Sequence, residues 1–220
     1  LLVSKARPGM SVCLTGGKGG SACVAGLRNV PQVKGVKMVP ATGLVQGQHY
    51  TDVNHAAATM AQAFGGEAVQ MLSPMFAETE DQREMITGMK TVSRVIEAAR
   101  SADLAVVGIG GLRERATSYF DLHRDVPGEE GELFASGAVA ELLAHVLDAS
   151  GRVTDYTRNR LVVAMAPEDL AKIPVSIGVA AGHEKAEAIC AVVRGGYINT
   201  LVTDEATARD VLARLKAEAA

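Results

Sequence analysis

Apolar and polar positions along this chain follow two rhythms. Short runs rich in Val, Ile and Leu, at residues 12–15, 36–39, 68–72, 104–109, 161–165, 175–179 and 198–202, read as β-strands. Several are apolar throughout, the pattern of strands covered on both faces. Between them lie helical stripes. Val53, Ala57, Met60, Ala61 and Phe64 form one, ended by Gly65 and Gly66. Met85, Met89, Val92, Ile96 and Ala99 form another, preceded by Thr79 and Gln82 at the spacing of a capping box. Further helices are expected at 138–147, at 185–193, closed by Gly195 and Gly196, and at 206–215, capped by Asp204.

Strand and helix in alternation require parallel strands joined by right-handed crossovers, so the expected fold is α/β, a doubly wound, mainly parallel sheet flanked by helices. Ligands of such sheets sit at the carboxyl ends of the strands. Residues 110–136 follow one of those ends. They are polar, contain Arg113, Arg115, Arg124 and a Pro127–Gly128 turn, and show no clear period, which suits a ligand lid.

Composition narrows the function. With 220 residues, 48% of them apolar, the chain can bury one sizeable core or two small ones. The 22 basic residues against 25 acidic ones leave a net charge of −3, without the positive field that a nucleic-acid binder needs. Cys13, Cys23 and Cys190, odd in number and in or near apolar stretches, suit buried thiols in a reducing cytoplasm better than disulfides or a metal site. No apolar run reaches 18 residues and no basic start precedes an apolar segment, so neither a membrane span nor a signal peptide is expected. The chain starts at Leu1 rather than Met, as a piece of something longer would.

The sharpest local feature is Leu14-Thr15-Gly16-Gly17-Lys18-Gly19-Gly20-Ser21, directly after the first strand and opening a helix. Glycines there leave backbone N–H groups facing outward and the helix dipole favours negative charge, so a phosphate fits. A turn required only for packing explains the same glycines. The dinucleotide reading lacks an acidic residue among 37–43 to hold a ribose, and the Walker spacing is absent, which leaves a small phosphorylated ligand and no nucleotide cofactor. Thr42 and Gly43 follow the second strand, Gly110 follows the fourth, and Gly182 and Lys185 follow the strand at 175–179. Lys185 starts a helix, where a cation is disfavoured unless an anion lies near; ligand contact and solvated surface lysine fit it equally. Glu141, expected one turn into the helix after Gly137, suits sugar hydroxyls or an exposed helical face.

Taken together, these loops resemble the sugar-binding domains of SorC/DeoR-type bacterial transcriptional regulators. The resemblance runs through Asn54-His55-Ala56-Ala57, Leu72-Ser73-Pro74, the strand ending Gly108-Ile109-Gly110, Gly137-Ala138-Val139, Leu147-Asp148-Ala149-Ser150-Gly151, Gly182-His183-Glu184-Lys185 and Leu201-Val202-Thr203-Asp204-Glu205, in that order and over nearly the whole chain. It implies a fold like that of ribose-5-phosphate isomerase and glucosamine-6-phosphate deaminase, used for sensing a phosphorylated sugar. It implies Gly17, Lys18, Gly19 and Lys185 at the phosphate, Thr42 and Gly43 at the second loop, Asn54 near the sugar and Glu141 on hydroxyls, and Gly16, Gly110 and Gly182 complete the expected ligand-binding set. Many members have an aromatic at Gly16 and Asp at Glu141, and a glycolytic member has Arg at Thr42, so these positions bear on which sugar fits. By the same resemblance, residues 1–220 form an effector domain lacking its N-terminal helix-turn-helix and its own first strand and helix. The domain assembles as a dimer or tetramer, and operator DNA is read only through the absent part. An isomerase or deaminase of the same fold is the alternative, but it needs an acid/base pair, and the strand-end loops offer only Glu141 with Asp121 and Asp125 of the lid. A purely structural assembly module would leave the aligned loops without a use.

Overall fold

Val12 and Leu14 pack into one apolar cluster and Cys13, between them, into another. This division recurs along the neighbouring strands, as it must where successive side chains leave opposite faces of a covered sheet. The computed structural model describes residues 1–28, 30–45, 52–113, 117–122 and 129–218. In chain order the elements are α1 (Leu2–Lys5), β1 (Ser11–Leu14), α2 (Gly17–Ala25), β2 (Lys37–Pro40), α3 (Val53–Phe64), β3 (Glu67–Ala68), α4 (Glu80–Gly88), α5 (Lys90–Arg100), β4 (Leu104–Gly108) and β5 (Gly110–Gly111). They continue with α6 (Glu129–Ala135), β6 (Ala138–Leu142), β7 (His145–Asp148), α7 (Pro167–Leu170), β8 (Val175–Val179), α8 (Ala186–Arg194), β9 (Thr200–Val202) and α9 (Glu205–Glu218). Tyr119–Leu122, Thr157–Leu161 and His183–Lys185 are 3-10 turns.

Six strands form a wholly parallel sheet in the order β3-β2-β1-β4-β8-β9. The order reverses between β1 and β4, so the loops leaving these two strands diverge and open a crevice at their carboxyl ends. Helix α3 covers one face through Ala57, Met60 and Phe64; α5 and α8 cover the other through Val92, Ile96, Ile189 and Val192. Asp52 caps α3 by accepting from the amides of Asn54 and His55, and Gly65, at φ 67°, ends it in the left-handed conformation.

Three expected elements differ. The stripe from Met85 to Ala99 is two helices, because the chain is extended at Met89 (ψ 127°) immediately after Gly88, and Met85 and Met89 are left exposed. Thr79 caps α4 as expected, whereas Gln82 accepts from the Glu78 amide (2.6 Å), one residue earlier than in a capping box. Residues 161–165 stand outside the sheet: Val162 and Ala164 bridge to Phe76 and Thr42, linking two loops.

The largest correction concerns 138–147, a β-hairpin rather than a helix. Strands β5, β6 and β7 form a separate antiparallel sheet, with Leu142 opposite His145 across a two-residue turn. Both turn residues, Leu143 (φ 54°) and Ala144 (φ 64°), have positive φ, the pattern of a type I′ turn that normally takes Asn and Gly. Helix-favouring residues adopt this conformation because β6 pairs with β5 and is covered by α8, so tertiary burial overrides local propensity. Glu141 is accordingly a strand residue. Within 110–136, where no clear period is expected, the described residues form β5, the 3-10 turn and α6; Arg115, Arg124, Asp125, Pro127 and Gly128 lie outside the described residues. Tyr119 of this segment packs with Leu112, Leu133 and Tyr156 and meets Phe76 and Phe120 edge-on.

Candidate functional site

A cleft opens where β1 and β4 part. Its lining includes eight of the residues that the sequence pointed to, Gly16, Gly17, Lys18, Gly19, Thr42, Gly110, Glu141 and Lys185, which come from five separate segments. One wall is backbone. Thr15, buried, anchors it by accepting the Gly108 amide at its hydroxyl (3.0 Å), which ties the β1 loop to the β4 end. Gly17 takes φ 85°, and a Cβ on Gly19 would stand 3.2 Å from the Val179 carbonyl oxygen, so α2 starts close against the sheet because that position has no side chain. Lys18 is exposed beside these amides.

The opposite wall is made of side chains. Glu141 accepts the Ala144 amide at Oε1 (3.0 Å) and the Thr117 hydroxyl at Oε2 (3.4 Å). Burial raises its carboxyl above the usual carboxylate range, against the lowering effects of the Ala144 amide, Lys185 and Thr117. Lys185 donates from Nζ to the Ile109 carbonyl at 2.7 Å. Burial holds its ammonium below the usual lysine range; Lys18 adds to this, while Glu141 and Glu184 oppose it. It is therefore a half-buried, committed lysine, not a solvated one. Thr42 completes the lining. The residue is 2% exposed, and its hydroxyl is buried with no hydrogen-bond partner among the described residues.

Three expected residues stand outside the lining. Asn54 donates to the Met71 carbonyl and accepts the Met71 amide, both at 2.9 Å, and so pins α3 to the loop after β3. The Gly43 amide donates to Val163 (2.8 Å), and a side chain at Gly43 would run into the Pro74 backbone. Gly182, at φ 110°, donates its amide to Asp204 and Thr207, turning the chain into the segment that carries Lys185. Hydrogen bonds from the Thr207 hydroxyl and the Thr207 and Gly182 amides hold the Asp204 carboxyl down at about 2. His183 lies on the surface, 3.5 Å from Glu184. Sequence reasoning missed Thr117, Ser118, Tyr119, Leu143 and Ala144, and gave Thr15, though part of the glycine motif, no role in the site. Thr15 adjoins the glycine loop and was within reach, but the Leu143–Ala144 turn carries no turn residue to announce it.

Among the described residues Glu141 is the only carboxylate lining the cleft, and no cluster of His, Cys, Asp and Glu with metal-binding geometry occurs. No helix among them is long and apolar enough to cross a membrane. Cys13 and Cys190 are buried, Cys23 is half-buried, no disulfide joins them, and burial pushes the Cys13 thiol up to about 12.

Comparison with known proteins agrees with this geometry. The family model described as "Putative sugar-binding domain" matches residues 1–213. The transcriptional regulator LsrR of Enterobacter sp. (strain 638) is 32% identical over 215 residues, covering 96% of this chain and 64% of that protein. LsrR of Escherichia coli O139:H28 is 35% identical over 142 residues, 64% of this chain and 45% of that protein, so the chain spans less than two thirds of either regulator. The crystal structure described as "Putative Sugar-Binding Domain of Transcriptional Repressor from Vibrio fischeri" superposes with TM-score 0.88 at 25% identity, covering 98% of this chain and 84% of that one. The full-length sorbitol operon regulator SorC of Klebsiella pneumoniae shares the fold, at TM-score 0.85 and 24% identity, covering 96% of this chain and 69% of that one. A crevice at the sheet's switch point, loops converging on it and a match over almost every residue lead to one assignment: the chain belongs to the sugar-binding domain family whose model matches residues 1–213.

Proposed function

We propose that this cleft binds a small phosphorylated sugar and releases it unchanged, as the effector site of a cytoplasmic transcriptional regulator. The observation that carries the reading is the Thr42 hydroxyl, buried in the cleft lining with no hydrogen-bond partner among the described residues. A buried hydroxyl left unsatisfied is costly, and a polar ligand atom removes that cost. The Gly17–Gly19 amides, the start of α2, Lys18 and Lys185 supply positive charge for a phosphate, and Glu141 supplies an acceptor for sugar hydroxyls. The eight lining residues form the proposed contact set, with Gly43, Asn54 and Gly182 shaping the loops that hold them. Residues 1–220 then act as the effector domain, assembled as a dimer or tetramer. Operator DNA is read by a helix-turn-helix domain of the longer protein, a division suited to this chain's net charge of −3.

The test is a panel of pentose and hexose phosphates, followed by melting temperature and by phosphorus NMR of the ligand. At least one member raises the melting temperature, since binding the native state at 100 times Kd stabilises it by about 2.7 kcal/mol, and its spectrum stays unchanged. Steady product formation would replace the sensor with an isomerase or deaminase. No shift across the panel would remove the phosphosugar. Light scattering at micromolar concentration should give two or four protomers; a monomer overturns the assembly.

A further inference from the structure

Thr117 was not singled out by any motif, and it stands at the joint of the side-chain wall. The residue is 6% exposed and lines the cleft. Its hydroxyl accepts the Tyr119 amide at 3.1 Å and lies 3.4 Å from Glu141 Oε2. A hydroxyl has one proton to give, and a backbone N–H can only donate. The Thr117 proton therefore goes to the carboxylate, and the order of donors is Tyr119 N–H to Thr117 O–H to Glu141 Oε2. The other carboxylate oxygen takes the Ala144 amide. Behind the pair, strand β5 runs so close that a Cβ on Gly110 would stand 2.5 Å from Thr117 Oγ1 and 2.6 Å from Glu141 Oε2. The carboxylate is thus bounded by β5, the hairpin turn and Thr117.

We propose that Thr117 is the positioning residue of the cleft: by donating to Oε2 it fixes the rotation of the Glu141 carboxylate, whose remaining lone pairs then select ligands with hydroxyl or amine donors at the end opposite the phosphate. This rests on the sugar-phosphate reading of the cleft. The inference concerns which end of the ligand Thr117 controls. Without the hydroxyl, Glu141 keeps one donor among the described residues, the Ala144 amide, its carboxylate rotates about that bond and the Tyr119 amide loses the Thr117 acceptor. The phosphate end, built from the Gly17–Gly19 amides with Lys18 and Lys185, keeps all its groups.

Two measurements on the full chain test it. The first needs no ligand: the Glu141 carboxyl is titrated by carbon NMR in wild type, Thr117→Val and Thr117→Ser. Loss of a donor to the ionised form moves the midpoint up in the valine variant, with Lys185 and Tyr119 still facing the group, and serine restores it. An unchanged midpoint in the valine variant overturns the proposal. The second is calorimetry with the tightest-binding sugar phosphate of the panel and with inorganic phosphate. Thr117→Val weakens the sugar phosphate about tenfold, the value of one hydrogen bond, and leaves inorganic phosphate unchanged. Equal losses for the two probes overturn the proposal. If the valine variant does not fold, Thr117→Ala replaces it in both measurements. If wild type binds no sugar phosphate while the Glu141 midpoint still moves, the ligand reading falls and the positioning of Glu141 by Thr117 stands.

Discussion

The two walls of the cleft are built by different means. The wall after β1 is backbone: glycines let α2 start against the sheet, and the one charged side chain there, Lys18, is exposed. The wall formed by the hairpin and Lys185 is side chain: Glu141, Thr117 and Lys185 are held in a hydrogen-bonded arrangement behind a turn with two positive φ angles on non-glycine residues. Such angles cost on the order of 1 to 3 kcal/mol each and persist only where the surroundings over-determine them. A backbone wall should accordingly tolerate changes of charge and fail on added volume. A side-chain wall should respond to protonation and to the loss of single functional groups.

The largest expected effect is on the side-chain wall and comes from His145, at the exit of the turn. It is 9% exposed, its Nδ1 donates to the Leu143 carbonyl at 2.9 Å, and burial holds its pKa down at about 4, with Glu168 opposing and Arg83 assisting. A pKa below the unfolded value of about 6.5 means that the unfolded chain binds more protons, so stability rises with pH. The contribution is complete above pH 6.5 and lost as pH falls through about 4, and it amounts to about 3 kcal/mol. Urea unfolding between pH 4 and 7 should show this slope, and His145→Gln should flatten it. An equal slope in the variant would place the pH dependence elsewhere.

On the backbone wall the matching change is Gly20→Ala. Its Cβ would stand 2.5 Å from the Thr15 carbonyl oxygen, which is backbone and cannot swing aside. Helix α2 must move out of register with the sheet, at a cost of about 1 to 3 kcal/mol despite alanine's higher helix propensity. A gain in denaturant midpoint would show that α2 is not held as closely as the contact implies.

The smallest effects on stability separate the two lysines. Lys185→Met keeps the buried stem and removes the ammonium. Binding of a sugar phosphate should weaken roughly 10-fold to 150-fold, and stability should fall by about 1 kcal/mol because the Ile109 carbonyl loses its donor. A solvated lysine would give no such loss. Lys18→Met, on the exposed rim, should change stability by less than about 0.5 kcal/mol and affinity by no more than about threefold. Calorimetry showing equal losses for the two would erase the distinction between the walls.

The chain's own residues already determined the parallel sheet, the helices covering it, the glycine loop and the family resemblance that the match over residues 1–213 supports. These depend on short-range terms, namely apolar runs, caps and glycine spacing, which act within about ten residues. The hairpin, the division of the second helical stripe and the burial of Lys185 did not follow from such terms. Residues 138–142 read as helix until β5 offers strand partners some thirty positions earlier and α8 covers them from some fifty later. Lys185 fits a ligand contact and a solvated surface lysine equally until the Ile109 carbonyl, 76 positions away, comes within 2.7 Å. Thr117 reads as one polar residue in a polar stretch until Glu141 arrives beside it from the hairpin. Parallel strands and capped helices can be read locally because each residue's preference agrees with its place in the fold. The side-chain wall was decided by the tertiary structure alone, since its conformations are held against local preference by contacts between distant segments.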